Sequence, residues 1–451
     1  MQVVLLSGGS GKRLWPLSNE VRSKAFLKLL PKEGGGVESM IERVCRGLAE
    51  AELLASSCIV THRSQVEITR KSVGVDIPVL AEPLKRGTFT AVALAASYLH
   101  SVRKIRPEEI VAVIPVDSYV EVSFFKRLQR FPEVLAESGA DLALLGAAPQ
   151  FPSTQFGYIL PRGTSSSAEY LQVAQFSEKP DESRAEYLIS QGGLWNCGVF
   201  SCSLQFLLSC LEDRGLTTVY QELLERYNLL PERSFDREVL EKQERAVVIP
   251  YTGQWADIGS WDALTPFLHG EVTGLGTISA DSEDTHLVNE LSCPVYVIGA
   301  PGLIVAAGPD GILVAGKEQA KRIKEELEGQ VMRPMIEEKR WGCSRILDCT
   351  RTAEGTEITT SKVTLLSGRH TSYHFHPHTQ EMWSVLSGSG EYIIEGMVHP
   401  ATAGDMVTVL AGARHLLRAT TKLELIVVEI ASSFGSSATE DIVRISDNWD
   451  A

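Results

Sequence analysis

The sequence predicts an α/β domain, a β-rich connector and an all-β domain, in that order along 451 residues. Three observations predict this organisation. Short apolar strands alternate with helical patterns over 1–268, glycine-rich β-like segments dominate 269–332, and alternating strands separated by turn residues fill 333–451. Three domain-like units are also what a chain of this length is expected to contain, at roughly 150 residues each.

The first unit carries continuous apolar runs at 3–8, 57–62, 110–117 and 140–148, which are typical of buried strands. Helical patterns lie between them, for example at 39–54 and 89–105. Buried strands interleaved with helices indicate a mostly parallel sheet covered on both faces. Ligands of such sheets bind at the carboxyl ends of the strands, so polar residues that follow strands are the first candidates for a site.

The connector reads "PVYVIGAPGLIVAAGPDGILVAG" over 294–316, with glycine every few residues, and we expect a charged helix over 317–331 to close it. Beyond 333, strand patterns such as "GEYIIEG" and "ELIVVEI" recur at fairly regular intervals. That spacing predicts an all-β barrel or sandwich.

Composition excludes several functional classes. With 44% hydrophobic and 22% charged residues the chain is typical of soluble globular proteins, and a net charge of -14 argues against a nucleic-acid binder. No apolar run approaches the ~18 residues of a membrane span, and the N-terminal "MQVVLLSGGS" resembles a strand more than a signal peptide. The eight cysteines form no CxxC pair, which favours reduced thiols in a cytoplasmic protein.

A glycine-rich loop, "SGGSGKRLWPLS", directly follows the first strand. Gly8, Gly9 and Gly11 allow backbone N–H groups to approach phosphate oxygens, while Lys12 and Arg13 supply positive charge. The spacing matches neither a Walker loop nor the dinucleotide-binding GxGxxG, and a purely structural turn is the alternative interpretation.

Eight motifs follow one another in the N-terminal part of the chain. They are GGxGxRLxPLS at Gly8–Ser18, "SKAFL" with Lys24, "EPLKRGTFTA" from Glu82, "IPVDS" with Asp117, "FGYI" from Phe156, "FSEKP" with Glu178 and Lys179, "WNCGVF" with Asn196, and "WADIGSW" with Asp257. With these motifs in this order, the chain resembles the nucleoside-diphosphate-sugar pyrophosphorylases, and closely the mannose-1-phosphate guanylyltransferases.

The resemblance implies a Rossmann-like nucleotidyltransferase domain that joins a nucleoside triphosphate, GTP by similarity, to a hexose 1-phosphate. Phosphoryl transfer of this kind needs cations and a metal ion to position two anions more than it needs a nucleophile. The resemblance implies that Arg13 and Lys24 are catalytic and that Asp117 and Asp257 bind Mg²⁺. The implied nucleotide-binding residues are Gly8, Gly9, Gly11, Lys12, Arg13, Lys24, Glu82 and Thr88. The implied sugar-phosphate-binding residues are Gly157, Glu178, Lys179 and Asn196.

Each charged residue also has a plain alternative, since Lys24 and Lys179 are possible surface lysines and Asp117 a possible turn cap. Three departures from the family pattern leave the base and the hexose open. Gly87 stands where the guanylyltransferases usually have asparagine, Ser23 replaces a proline, and Ser118 replaces a histidine.

The C-terminal unit contains "HFHPHTQEMW" at 374–383. The stretch from Gly368 to Gly388 matches the first cupin motif, and "GDMVTVLAGARH" supplies the second. We therefore predict a cupin barrel whose divalent transition metal, Zn, Fe, Mn, Co or Ni, is bound by His374, His376, Glu381 and His415. An empty cluster of the same residues is the alternative.

Bifunctional mannose-6-phosphate isomerase/mannose-1-phosphate guanylyltransferases resemble the whole chain, including their "EDIVRxxD" tail, present here as "EDIVRISD" at 440–447. Those isomerases carry glutamine where His374 stands and arginine where Thr379 stands. Because an aldose–ketose isomerase must stabilise an enediolate, losing that cation leaves isomerase activity open. A non-catalytic subunit that binds sugar nucleotides is the remaining alternative, and we expect a homodimer.

Overall fold

The computed structural model describes residues 1–9, 11–32, 34–74, 76–163, 169–330, 332–431 and 441–446. The first unit contains thirteen strands within this part of the chain. They are β1 Gln2–Leu6, β2 Leu30–Pro31, β3 Val37–Glu38, β4 Ser57–His62, β5 Val79–Glu82, β6 Ile110–Pro115, β7 Ser118–Val120, β8 Leu142–Ala147, β9 Tyr158–Pro161, β10 Leu171–Ser177, β11 Leu194–Ser203, β12 Ala246–Tyr251 and β13 Trp255–Asp257.

Helices connect most of these strands. They are α1 Met40–Glu50, α2 Val66–Val73, α3 Gly87–Ser97, α4 Val122–Leu128, α5 Phe131–Ser138, α6 Glu182–Ser190, α7 Leu204–Glu212, α8 Tyr220–Glu225, α9 Phe235–Glu238 and α10 Trp261–Leu264, with a π-helical extension of α3 at Tyr98–Val102 and 3-10 turns at Lys12–Leu14, Lys24–Phe26, Leu54–Ser56, Arg63–Gln65, Tyr227–Leu229, Leu240–Lys242 and Thr265–Phe267.

A nine-stranded sheet in the order β5-β4-β1-β6-β11-β8-β12-β10-β9 forms the centre of this unit. Its strands are buried on both faces, since Val3 and Leu5 of β1 pack into one hydrophobic core and Val4 into another. The predicted α/β class is confirmed. Strands β5, β4, β1 and β6 pair in parallel as predicted, whereas β11 lies antiparallel to β6 and β8 and makes the other half of the sheet mixed.

The connector stacks short strands in parallel, β14 on β16 on β18 and β15 on β17, as in a β-helix. The predicted closing helix is shorter than expected, since Lys317–Arg322 form a 3-10 turn and only α11, Ile323–Glu326, continues as α-helix. The connector elements are β14 Val272–Gly274, β15 Gly276–Ile278, β16 His286–Asn289, β17 Val295–Val297, β18 Leu303–Gly308, β19 Gly311–Gly316 and α11 Ile323–Glu326.

The C-terminal unit consists of two antiparallel sheets, with strand orders β20-β21-β22-β29-β24-β27 and β26-β25-β28-β23-β30, around a shared core. This confirms the all-β prediction. Its strands are β20 Ile336–Lys339, β21 Gly342–Arg351, β22 Glu357–Leu365, β23 Tyr373–Phe375, β24 Thr379–Ser387, β25 Ser389–Ile394, β26 Met397–Thr402, β27 Met406–Val409, β28 His415–Ala419, β29 Leu423–Ala431 and β30 Val443–Ser446. Glu440 and Asp447 of the predicted tail motif lie outside the described residues.

The three units meet beneath the glycine-rich loop. Leu14 and Trp261 of the first unit share a hydrophobic core with Ile304 of the connector. Arg22, which is almost fully buried, pairs with Glu290 of the connector at 2.7 Å and with Glu338 of β20 at 3.3 Å. No helix in the described ranges is both long and apolar enough to cross a membrane.

Candidate active sites

The glycine-rich loop lies at the carboxyl end of β1, where the sequence predicts a phosphate site. Gly11 has φ +69°, and a Cβ there would lie 2.2 Å from the carbonyl oxygen of Asn19, so only glycine fits. A Cβ on Gly9 would meet no atom within 4 Å, and one on Gly8 would meet only Glu82 Oε2 at 3.4 Å. The loop therefore leaves open space above Gly8 and Gly9, with Glu82 at its edge.

Lys24, Asp117 and Asp257 form a compact ionic cluster. Antiparallel pairing of β7 with β13 sets Asp257 opposite Ser118 and so brings Asp117 close. Lys24 Nζ lies 3.0 Å from Asp117 Oδ2 and 3.0 Å from Asp257 Oδ1. Burial alone would lower the pKa of Lys24, but the two carboxylates raise it above its ordinary value. The ammonium group thus stays charged and holds the aspartates together.

Gly259 is part of this cluster, although the sequence analysis did not select it. A Cβ on Gly259 would lie 2.9 Å from Asp257 Oδ1, 3.2 Å from Lys24 Nζ and 3.4 Å from Arg13 Nη1. The same glycine therefore shows that the guanidinium of Arg13 reaches the ionic cluster. Its position in "WADIGSW", two residues after Asp257, was the only available signal.

Both aspartates keep an oxygen that no other described residue contacts, because Asp117 uses Oδ2 and Asp257 uses Oδ1 toward Lys24. Their side chains are 42% and 31% exposed. Mg²⁺ in proteins is usually bound by one or two carboxylates together with substrate phosphates, and two accessible carboxylates lie here beside the glycine-rich loop. These residues therefore fit the predicted ion.

Glu82 and Thr88 are both engaged with neighbouring side chains or backbone. The hydroxyl of Tyr227 donates to Glu82 Oε1 at 2.5 Å, and burial raises the pKa of Glu82. The backbone N–H of Phe235 donates to Thr88 Oγ1 at 2.8 Å. Gly87 has φ +82°, and a Cβ there would lie 2.3 Å from the carbonyl oxygen of Arg233, so packing requires glycine at this position.

Lys85 is a second residue that the sequence analysis missed, although it stands inside the quoted "EPLKRGTFTA". Burial lowers the pKa of Lys85, and the nearby positive charge of Lys12 lowers it further. Lys85 therefore lies near Lys12 and adds a cation to the two, Lys12 and Arg13, that the sequence predicts at the loop.

Gly157, Glu178 and Asn196 lie together, as predicted. A Cβ on Gly157 would come within 2.7 Å of Glu178 Oε2 and 3.3 Å of Asn196 Cβ. Lys179 Nζ is 3.2 Å from Glu178 Oε1, and Asn196 Nδ2 donates to Asp236 Oδ1 at 3.1 Å. Burial raises the pKa of Glu178, and Asp236 adds to the shift. Asp236 lies in no motif, so no sequence signal identified it.

Three imidazoles, two of them fully buried, converge in the C-terminal barrel. His374, His376 and His415 each offer a ring nitrogen within 4.8 Å of the others. Their Nδ1 atoms donate to backbone carbonyls of Ser372 at 2.7 Å, Asp441 at 3.1 Å and Ala413 at 2.9 Å, respectively. A carbonyl oxygen only accepts, so each Nδ1 carries the proton and each Nε2 lone pair is free for a metal.

Glu381 completes the set that the sequence predicted. Its carboxylate oxygens lie 3.2 Å from His376 Nε2 and 3.4 Å from His415 Nε2, and Trp383 Nε1 donates to it at 2.8 Å. Burial and the neighbouring imidazole of His415 lower the pKa of His374 to about 4, and burial lowers that of His415. Burial alone would lower the pKa of His376, but its hydrogen bond to Glu381 raises the pKa above its ordinary value. Three imidazoles with one carboxylate are donors that suit a divalent transition metal, so these residues fit the predicted group.

The imidazole cluster opens into a cavity of about 510 Å³, within the range of small-molecule sites (~300–1,000 Å³). Its mouth is formed partly by β20 and by Glu67 of α2, so the first unit contributes to its wall. His378 is exposed and is not a member of the three-histidine group.

Comparison with known proteins matches a family to each of two parts of the chain. The family described as nucleotidyl transferase matches residues 2–269, more than half of the chain. The chain belongs to the nucleotidyl transferase family. A second family, described as cupin domain, matches residues 361–430. This nucleotidyltransferase thus carries a C-terminal cupin domain, as its motifs predicted.

Curated relatives match this nucleotidyltransferase over nearly its full length. A mannose-1-phosphate guanylyltransferase of Klebsiella pneumoniae is 30% identical, with 99% of this chain and 98% of that protein covered. The alginate biosynthesis protein AlgA of Pseudomonas syringae pv. tomato is 29% identical, with 98% and 95% covered. A crystal structure described as a mannose-1-phosphate geranyltransferase from Thermus thermophilus superposes with a TM-score of 0.60 at 28% identity, covering 72% of this chain and 98% of that chain.

Proposed function

We propose that the protein transfers a guanylyl group from GTP to mannose 1-phosphate, forming GDP-mannose and pyrophosphate. The observation that carries the proposal is the cluster of Lys24, Asp117 and Asp257 beside an open glycine-rich loop, with Arg13 at its edge. The names of the relatives support guanine and mannose as the base and the sugar.

In the proposed reaction an oxygen of the sugar 1-phosphate attacks the α-phosphorus of the triphosphate. The bond from that phosphorus to the bridging oxygen breaks, and pyrophosphate leaves with the electron pair. Gly8, Gly9 and Gly11 would direct N–H groups to the triphosphate, and Lys12 and Arg13 would neutralise its charge. Mg²⁺, when bound by Asp117 and Asp257, would supply further charge neutralisation at the phosphates.

The remaining predicted residues would position the two substrates. Glu82 and Thr88 would contact the nucleoside, and the Tyr227 hydroxyl keeps the Glu82 carboxylate oriented. Lys179 would contact the sugar phosphate, while Glu178 and Asn196 would accept and donate hydrogen bonds at the sugar hydroxyls beside Gly157. Holding both anions in line is the main catalytic contribution of such a site.

A matrix of nucleoside triphosphates against hexose 1-phosphates, read by pyrophosphate release with Mg²⁺, tests this proposal. We expect GTP with mannose 1-phosphate to give the highest rate. The double variant Asp117→Asn/Asp257→Asn should lose turnover, while Asp213→Asn, an exposed aspartate on α7's C-terminal side, should not. If no pairing releases pyrophosphate, the chain is a non-catalytic binder of sugar nucleotides and the proposal is wrong.

We propose as a second function that the cupin interconverts mannose 6-phosphate and fructose 6-phosphate. The observation favouring it is the three-histidine cluster that opens into the 510 Å³ cavity. A metal held by the three histidines and Glu381 would act as a Lewis acid toward the sugar. Activity that disappears with chelator and returns with Zn, Fe, Mn, Co or Ni is expected; a metal-loaded but inert cupin would contradict it.

We further propose a cytoplasmic homodimer built from units 1–268, 269–332 and 333–451. Eight cysteines without a disulfide among the described residues support a reducing compartment.

Two apolar side chains on the edge strand β19 support self-association. Ile312 and Val314 are 60% and 62% exposed there, and exposed apolar edges are usually covered by another chain. Sedimentation should give a dimer for the parent and a monomer for Ile312→Lys/Val314→Lys; a monomeric parent would refute it.

A further inference from the structure

Five cations line the cupin cavity, and three of them are already neutralised. Arg333 pairs with Glu357 at 2.7 Å, Lys339 with Glu337 at 2.7 Å, and Arg340 with Glu67 at 3.0 Å. The two others, Arg369 and Arg444, line the same cavity without a carboxylate partner among the described residues.

Arg444 lies on the same face of the sheet as a predicted metal ligand. Strand β30 pairs antiparallel with β23, and this register sets Arg444 opposite His374. Side chains of directly opposed residues project from one face, which explains why both line the cavity. His374 is mostly buried while Arg444 is exposed, so the imidazoles form the floor of the cavity and Arg444 is at its mouth.

Arg369 reaches the same mouth from the loop between β22 and β23. Its carbonyl accepts from the N–H of Ala419 at 2.8 Å, and the next residue, His370, bridges to Arg418 of β28. The backbone of Arg369 is therefore fixed while its side chain stays exposed. Both arginines are exposed and line the same cavity as the predicted metal ligands.

Thr379 explains how β30 is held in this position. It is buried, and its hydroxyl donates to Asp441 Oδ2 at 2.9 Å, while the N–H of His378 donates to the same oxygen at 2.8 Å. The carbonyl of Asp441 also accepts from His376 Nδ1 at 3.1 Å. Asp441, two residues before Val443, thus ties the start of β30 to the segment that carries His376 and Thr379.

The hydroxyl of Thr379 donates to Asp441, and this side chain is not part of the cavity lining. Among the described residues, the cavity cations without a carboxylate partner are Arg369 and Arg444. We infer that Arg369 and Arg444 form an anion-binding pair at the cavity mouth, which holds the phosphate of a phosphorylated monosaccharide while its sugar end reaches the imidazole cluster. Planar guanidinium groups bind phosphate through paired hydrogen bonds, which suits them to this task.

The carboxylates that face this mouth do not oppose an anion there. Glu67 and Glu337 are neutralised by Arg340 and Lys339, and Glu381 contacts the imidazoles on the floor. Glu429 also lines the cavity. It lies opposite Glu381 in the pairing of β24 with β29, deep within the barrel. The positive charge of the two arginines therefore dominates the entrance.

This inference rests on the cupin being a ligand-binding domain, as proposed above, and binding tests it without any turnover. The host is the full-length chain with Lys24→Ala and Lys179→Ala, which silences the transferase site toward sugar phosphates. Calorimetry then measures mannose 6-phosphate, inorganic phosphate and mannose. The measurement contains no nucleotide, so its result does not depend on whether the chain has transferase activity.

We expect mannose 6-phosphate to bind the host, and either Arg369→Ala or Arg444→Ala to weaken it by about tenfold or more, the effect of one charge-assisted interaction. The double variant should show no detectable binding, while Arg351→Ala, an exposed arginine of β21 outside the cavity, should bind as the host does. Inorganic phosphate should compete. Equal affinity in host and double variant, or mannose binding as tightly as mannose 6-phosphate, would overturn the inference.

Discussion

Replacing Gly259 with alanine should disable the transferase site without unfolding the protein. The new Cβ would lie 2.9 Å from Asp257 Oδ1 and 3.2 Å from Lys24 Nζ, closer than carbon normally approaches these atoms. Since Gly259 does not have positive φ, alanine adds no backbone strain. The Asp257 carboxylate must therefore move by a few tenths of an ångström or more, and with it the cluster that we propose holds Mg²⁺.

The expected loss in kcat is about 10- to 100-fold, because displacing catalytic groups by ~1 Å costs on the order of 100-fold. The assay is pyrophosphate release from GTP and mannose 1-phosphate over a Mg²⁺ series, together with a thermal melt. Gly316→Ala is the matched control, since a Cβ there would meet no atom within 4 Å. A Gly259→Ala variant with parental kcat and Mg²⁺ dependence would refute the assignment of this cluster to the reaction.

Three further predictions concern the buried polar groups. Glu82→Gln should stabilise the fold increasingly as pH rises above 4.5. Burial raises the pKa of Glu82, so ionising it costs free energy in the native protein but not in the unfolded chain. Urea melts across pH 4–8 check this, and a stability difference that does not change with pH contradicts it. Thr379→Val should lower the free energy of unfolding by about 1–3 kcal/mol, since Asp441 loses a buried donor, whereas an unchanged urea midpoint would show that this bond does not hold β30. Chelator should lower the melting temperature of the purified protein and added Zn²⁺ should restore it; a chelator-insensitive, metal-free protein would rule out the cupin metal.

Periodicity was sufficient to predict the elements that bury apolar residues on both faces. The strands predicted at 57–62 and 110–117 correspond to β4 and β6, since continuous apolar runs have few other stable arrangements. The antiparallel entry of β11 was not predictable, because the direction of a strand depends on the path of the chain and leaves no mark on the strand's own residues. Motif spacing likewise predicted the four cupin residues, whose HxH pattern fixes a common face.

The residues that the sequence did not reveal act through contacts between distant segments. Gly259 matters because Arg13 and Lys24 approach it from the other end of the domain. Asp236 contacts Asn196 from a separate four-residue helix, and Arg444 reaches the cupin cavity only because β30 pairs with β23. Proximity of this kind arises only when the chain packs, so neither periodicity nor residue spacing predicts it.

The loop that bears Lys24 is held by side chains from all three units. Arg22, two residues earlier, is buried and pairs with Glu290 of the connector and Glu338 of β20, while Asn19 donates to Asp310 at 2.7 Å. Side chains alternate along a strand, so Glu338 faces the transferase while its neighbours Glu337 and Lys339 line the cupin cavity. One strand thus contacts both the segment that precedes Lys24 and the cupin cavity. Removing one partner of a buried ion pair destabilises a protein by more than the intact pair stabilises it. Cutting the chain before β20 would remove Glu338 and leave the buried charge of Arg22, two residues before the proposed catalytic lysine, paired with Glu290 alone. Strand β20 therefore supports the segment that leads to Lys24.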